Sequence, residues 1–231
     1  MNAKSGSGYQ SPVRAAALIL FMCSGCASVG VFQSAQTLGR KNWELGVELS
    51  SQAQTSFDSL SLFPLSAVLF RYGVAEAVDV GVRVGPAGIE ATSKFMFTQR
   101  GAPVHVSLAP SVGGTFWVPS GIALGTGQAS LPLLIGVDVS ERAELIFAPK
   151  VHDSLFAMSA GQAGGTVNQL FLGAAVGVAL KFGRFKVLPD FGFLAPVATT
   201  TWRSDLPPGT AWFYGRWTFQ ANVSVSLGRA R

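Results

Sequence analysis

The chain has 231 residues, of which 13% are charged, about half the share usual in a soluble domain, while 48% are apolar and 27 are glycine. Its formal charge of +5 is modest and its basic residues do not cluster with stacking aromatics, so nucleic-acid binding has no support. No apolar run after residue 26 reaches 18 residues, which excludes a transmembrane helix and leaves a closed β-barrel as the way for so apolar a chain to cross a membrane.

Residues 1–25 have the layout of a secretory signal: Lys4 and Arg14, an apolar run from Ala15 to Met22, then small Ser24 and Gly25 before Cys26. The run is too short to span a bilayer as a stop-transfer helix. Ser24-Gly25-Cys26 resembles the lipobox of bacterial lipoproteins. That resemblance implies cleavage before Cys26, lipidation of Cys26, and a mature chain that begins there. An ordinary signal cut nearby would leave Cys26 as a spare thiol or remove it; either way the chain leaves the cytoplasm. Cys23 and Cys26 are the only cysteines, so the mature chain has no disulfide, and loss of Lys4 and Arg14 takes its formal charge from +5 to +3. Residues 26–41 lack a strand period and join the lipid to the first strand, either as a tether or as a short plug entering the lumen.

From residue 42 to the end apolar residues recur at every second position, the period of a strand with two different faces. Ten strands are predicted: Asn42–Ser51, Leu62–Tyr72, Val78–Val84, Ile89–Thr98, Pro103–Val112, Ala129–Val139, Ala143–Val151, Asn168–Phe182, Phe185–Leu194 and Ala211–Leu227. Most have about the 9–11 residues that a tilted strand needs to cross a bilayer. The expected fold is therefore all-β, a closed antiparallel up-and-down transmembrane barrel over residues 42–231. Eight or twelve strands and a soluble periplasmic β-protein are the alternatives. Pro110, Pro132, Pro149 and Pro189 fall inside these strands, each removing a ladder donor, and are the pattern's main internal conflict.

Connections alternate in length. Gly73–Ala77, Gln99–Ala102, Ser140–Arg142 and Gly183–Arg184 are short. Gln52–Ser61, Gly113–Gln128, Asp153–Val167 and Ala195–Thr210 are longer, and only Gly85–Gly88 breaks the rule. Short periplasmic turns and long outer loops characterise outer-membrane barrels. Trp43, Tyr72, Phe95, Phe97, Phe182 and Phe185 gather at the short-turn side of the apolar face as one aromatic girdle, with Phe193, Phe213, Trp117 and Trp212 candidates for the opposite one. On this register Leu133, Val178 and Val225 face lipid while Gly136, Gly177 and Ser224 face the lumen.

The polar face carries Gly, Ala and Ser with charges of both signs. Glu44, Glu48, Asp79, Glu90, Asp138, Glu144 and Asp190 face inward, as do Arg71, Arg83, Lys94, Lys150, Lys181, Lys186 and Arg216. Pairing lets each keep its charge in a narrow bore, which such side chains would largely fill.

Chemistry is sparse. His152 and Ser154 share the His-x-Ser spacing of outer-membrane lipid A deacylases, where a histidine activates a serine hydroxyl, but Leu155 follows where that family has an asparagine. Ten strands also resemble the omptin proteases, with Asp138, Asp153 and Asp190 as candidates by residue type only. No metal motif, cofactor motif or phosphate-cradling loop is present; the glycine-rich Gly161–Gly165 reads as a flexible outer loop. The whole resembles outer-membrane barrel lipoproteins. That implies the outer membrane of a Gram-negative bacterium, with outer-membrane lipid and the barrel-assembly machinery as partners and the N-terminus anchored on the periplasmic side. The expected role is structural or surface-interacting through the outer loops, not enzymatic. A narrow ion or small-solute pore and a barrel hydrolase are the alternatives.

Overall fold

The period-two pattern is realised as eleven β-segments in a computed structural model that describes residues 30, 33–56, 59–86, 88–118, 122–160, 163–202 and 216–228. They are β1 (Trp43–Ser56), β2 (Ser59–Ala75), β3 (Val78–Gly85), β4 (Gly88–Met96), β5 (Val104–Leu108), β6 (Ser111–Trp117), β7 (Ile122–Ser140), β8 (Ala143–Ala160), β9 (Ala163–Phe182), β10 (Phe185–Trp202) and β11 (Trp217–Gly228). Apart from β5 and β6, neighbours in sequence pair antiparallel; β4 and β7 flank both β5 and β6, and β11 pairs back onto β1, so the sheet closes. The signal segment and Cys26 lie outside the described residues.

Eleven segments make ten staves. On the β7 side Leu108 opposes Leu133 and Ser111 opposes Ser130; on the β4 side Leu108 opposes Phe95 and Ser111 opposes Thr92. Three residues along one strand match three along the other, so β5 and β6 are one stave interrupted at Pro110, which has no N–H to give. Its carbonyl still accepts from Ser93 N at 3.0 Å, and Ala109 N donates to Pro132 O at 3.0 Å. Pro132, Pro149 and Pro189 sit opposite Lys150, Ala174 and Val223 with no register shift at any of them. These prolines remove single donors without shifting the register; only Pro110 interrupts its stave.

The staves are longer than the sequence suggests. Most of the supposed outer loops is wall: β1 continues to Ser56 and β2 starts at Ser59, β7 starts at Ile122, β8 and β9 meet around residues 161–162, and β10 runs to Trp202. Gly164 and Gly165 belong to β9 rather than to a loop. These extensions are rich in Ser, Thr, Gly and Gln on both faces, so no apolar period marks them, yet the β7–β8 and β8–β9 ladders run through them without a shift, and the β9–β10 ladder shifts register once, between Pro196 and Ala198. Strand β11 is ordered from Trp217; residues 211–215, with Trp212 and Phe213, lie outside the described residues. At the other end β4 stops at Met96, leaving 97–103 as the turn, while Glu141-Arg142 and Gly183-Arg184 form two-residue turns.

One face of the wall is apolar and turned outward. Val47, Val82, Leu145, Val176 and Val225 are exposed along mid-stave, and Tyr72, Phe95, Phe97, Phe182 and Phe185 are exposed near the short turns, with Trp43 half-buried among them. Toward the far end Phe116, Phe193, Trp202 and Trp217 point outward. The sheet, closed through β1–β11 and β3–β4, pairs most of its ladder donors and acceptors internally while presenting this belt, which is the geometry a bilayer demands. Leu133 and Val178 lie on the outward phase with Val225, and Gly136, Gly177 and Ser224 are buried on the inward one.

Candidate functional site: a plugged lumen

The bore is closed near its short-turn end by the chain itself. Residues 33–38, shortly before β1, run inside the barrel, with Gln33, Ser34, Ala35 and Thr37 buried and Ala35 wholly so. The segment has no regular structure, so its backbone groups take partners from the wall. Ala35 N donates to Glu144 Oε1 at 2.8 Å, Ala35 O accepts from Ser107 Oγ, and Leu38 N donates to both oxygens of Asp79 at 3.0 and 3.1 Å. Lys94 Nζ donates to the carbonyls of Ser34, at 3.0 Å, and Gln36. Gln36 Nε2 lies 2.9 Å from Asp138 Oδ2 and 2.6 Å from His105 Nε2, and His105 Nε2 is itself 3.0 Å from that carboxylate. Over residues 33–38 the stretch enters the lumen as a plug, while its start at residues 26–29 lies outside the described residues.

The plug leaves past the turns in a fixed shape. Gly39 has φ of +78°, a conformation open chiefly to glycine, and a Cβ there would strike the Arg100 guanidinium, which caps the exit by bonding Leu38 O at 3.0 Å and Glu76 at 2.8 Å. Gly73 of β2 meets the Gly39 carbonyl so closely that a methyl would collide with it.

Beside the plug β7–β10 each contribute apolar side chains to the inward face, among charged residues such as Glu144. Ala35 packs with Ala109, Leu134, Ile146, Ala148, Ala175, Ala179 and Leu188 as one buried cluster. The sequence reading made this face wholly small and polar; Leu134, Ile146 and Leu188 correct it. Both faces of these strands are apolar here, so the period fades where the plug needs a hydrophobic seat.

Most of the charges cluster around β1–β4, while Asp138, Glu144 and Lys181 form a second group on β7–β9 beside the plug. Arg71 contacts Asp79 at 2.6 Å and Glu44 at 3.6 Å; Lys186 reaches Glu44 at 2.6 Å and Lys94 reaches Asp79 at 3.3 Å. Higher up, Arg83 holds Glu48 at 2.8 Å and Glu90 at 3.4 Å. Lys181 bridges Asp138 and Glu144, both at 3.4 Å. Asp190 accepts from Asn222 at 2.7 Å, and Lys150 and Arg216 are buried in the wall's inner face. All fourteen residues singled out by sequence lie on the inward phase.

Sequence reasoning passed over two groups. His105 points inward as part of the plug's seat. Gln52, Gln54, Gln220 and Asn222 form a buried amide belt beyond the charges, with Gln220 Nε2 donating to Asn222 Oδ1 at 2.6 Å. The inward phase of each strand carried the signal for both.

His152 is 1% exposed and tilts against Phe171 at 5.9 Å between ring centroids, and neither ring nitrogen has a hydrogen-bond partner. It therefore does not engage Ser154, the next inward residue of β8. Nor are the three aspartates brought together: Asp138 sits by the plug, Asp190 in mid-bore, and Asp153 on the outward face, accepting from Asn168 at 3.0 Å. Among the described residues no set of three His, Cys, Asp or Glu is grouped as metal ligands.

No protein-family model and no curated protein matches the chain. Among solved structures it is similar to Ail, the attachment invasion locus protein of Yersinia pestis, in complex with the heparin analogue sucrose octasulfate, at 8% identity over 82% of this chain and 99% of that one, with a TM-score of 0.47. It is similar to the translocator domain of autotransporter NalP from Neisseria meningitidis at 11% identity, covering 82% and 88% of the two chains, with a TM-score of 0.47. It is also similar to the outer membrane protein OprG from Pseudomonas aeruginosa at 8% identity, covering 85% and 100%, with a TM-score of 0.37.

Proposed function

We propose that the chain is an outer-membrane β-barrel lipoprotein, acylated at Cys26, that acts as a closed structural or surface-interacting scaffold rather than as a conduit. The observation that carries this reading is the plug: a fully buried Ala35 seated in a hydrophobic cluster, with backbone bonds from residues 34–38 to four wall side chains, Glu144, Asp79, Lys94 and Ser107. A segment held at so many points of both chemical kinds is part of the folded wall. The outward apolar belt and the secretory signal support an outer-membrane location, with surrounding lipid and the barrel-assembly machinery as partners. The rim carried by β7–β10, which rises beyond that belt, is the surface left to meet other molecules.

Conductance across a planar bilayer tests the reading. The wild-type barrel should show no steady current, and deletion of residues 33–41 should open a bore lined by the charges of β1–β4. A large steady conductance in the wild type would replace the scaffold with the narrow pore.

A further inference from the structure

The plug has a direction. Going from Leu38 back to Ala35 it lies among residues close to the short turns, Glu76, Asp79, Glu144 and Asp138. Further back, Gln33 and Gly30 line a cavity of about 60 Å³ with Arg83, Glu90, Ser111, Ser130 and Lys150. Arg83 and Glu90 oppose each other, and their hairpin closes only two residues further on, at the Gly85–Gly88 pair. Traced toward its start, the chain therefore climbs the bore away from the short turns and reaches, at Gly30, the level just below the far tip of the β3–β4 hairpin.

That tip is the low point of the wall. Strands β3 and β4 have 8 and 9 residues, whereas β2, beside them, has 17 and β7, beyond the β5–β6 stave, has 19. The outermost β2–β3 pair is Val68–Val84 and the outermost β4–β6 pair is Ile89–Gly114. Among the described residues, Ser59–Ala67 of β2 and Thr115–Trp117 of β6 have no ladder partner on the sides facing each other. Three strand spacings separate them, a gap of about 14 Å. Its outward rim is apolar: Val84, Ile89, Phe116 and Val118 are exposed, Phe116 at 72%. Beside such a rim the lower parts of the two open edges, Leu65–Ala67 and Thr115–Trp117, leave backbone donors and acceptors in contact with lipid unless something lies between them.

We infer that the acylated N-terminus of this chain fills the gap: it leaves the lumen over the β3–β4 hairpin, and the acyl chains on Cys26 lie between β2 and β6, in the half of the bilayer away from the short turns. The inference rests on the acylation proposed above. Cys26 is four residues before Gly30, and four residues reach at most about 14 Å. The gap opens directly above Gly30, within that reach. The opposite route, to lipid beside the short-turn girdle, runs back down a bore already filled by residues 33–38 and the apolar cluster around Ala35. A lipid emerging between β2 and β6 has an apolar rim to lie against, and the backbone of the residues behind it is supplied to the two open edges. The periplasmic-side anchor expected from sequence gives way to an anchor on the outer side.

The test uses a diazirine-bearing fatty acid fed to cells that make the full chain, with photolysis in intact membranes, peptide mapping of the cross-links, and intact mass to report acylation separately. Cross-links on the peptides carrying Phe116 and Val118 and on β2, absent in Cys26→Ala, are the expected result. An acylated chain with its cross-links at Trp43, Phe182 or Phe185, or at neither place, overturns the route while leaving acylation standing. A mature chain without acyl mass overturns both.

Discussion

The backbone N–H of Ala35 donates to Oε1 of Glu144 at 2.8 Å, joining two residues 109 positions apart and tying a segment without regular structure to the barrel wall. Glu144 is fully buried and is also met by Lys181 at 3.4 Å, so one carboxylate serves the plug and the charge network together.

Prying that contact apart should open the bore without dismantling it. A Cβ at Gly136 would run into Glu144 Oε1 and the Ala35 methyl, while Ala35 itself belongs to no ladder. Gly136→Val and Ala35→Trp are both expected to unseat the plug, with overpacking strain of about 1–3 kcal/mol, and to give a current where the wild type has none. Because Ala35→Trp leaves the wall sequence untouched, an unchanged current there would mean that the plug is not the seal.

The alternation made the staves legible, including their phase: Val78, Val80, Val82 and Val84 face out while Asp79 and Arg83 face in. Pairing registers keep that phase through four prolines, since a missing N–H does not move neighbouring residues to the other face. Stave length was not legible beyond the apolar belt, because wall in contact with water on its outer side needs no apolar phase; Gln52–Ser56 and Thr199–Trp202 look like loop and are strand. The plug was legible only as an alternative. Its side chains are short and polar, its contacts are largely through backbone, and no local period records a partner a hundred residues away.

Arginine deletions should rank by what they leave behind. Without Arg71, Glu44 retains Lys186 at 2.6 Å and Asp79 retains Lys94 at 3.3 Å. Without Arg83, fully buried Glu48 loses its ion pair. Stranding a buried charge costs roughly 3–5 kcal/mol, and less when another cation stays. Arg83→Ala should therefore lower the unfolding temperature of the detergent-solubilised barrel more than Arg71→Ala. The reverse order would show that water reaches Glu48.

An arginine scan across the wall should report the orientation of each stave. Val225→Arg, at a position 45% exposed on the outward phase, is expected to cost about 2–4 kcal/mol near mid-bilayer. The bore offers no relief to a bulky residue: a Cβ at Gly177 would come within 2.9 Å of the Asp190 Cβ, and Gly136 abuts the plug. Gly136→Arg and Gly177→Arg should be at least as damaging as Val225→Arg, measured by urea titration in lipid vesicles. Tolerance at both glycines would mean that the plug yields readily.

His152 offers a gain in stability. Its two ring nitrogens are buried without partners, and a buried polar group left unsatisfied costs about 1–3 kcal/mol. The ring also packs on Phe171, so a replacement has to keep volume; His152→Ala would exchange the polar penalty for a cavity. His152→Leu should keep most of the packing, remove the penalty and raise the unfolding temperature of the purified barrel. Should the hydrolase reading hold, with His152 acting on Ser154, the same variant would abolish deacylation of lipid A in isolated outer membranes and Ser154→Ala would match it. The unpartnered ring nitrogens favour the first result: a stabilised barrel and lipid A unchanged between wild type and both variants.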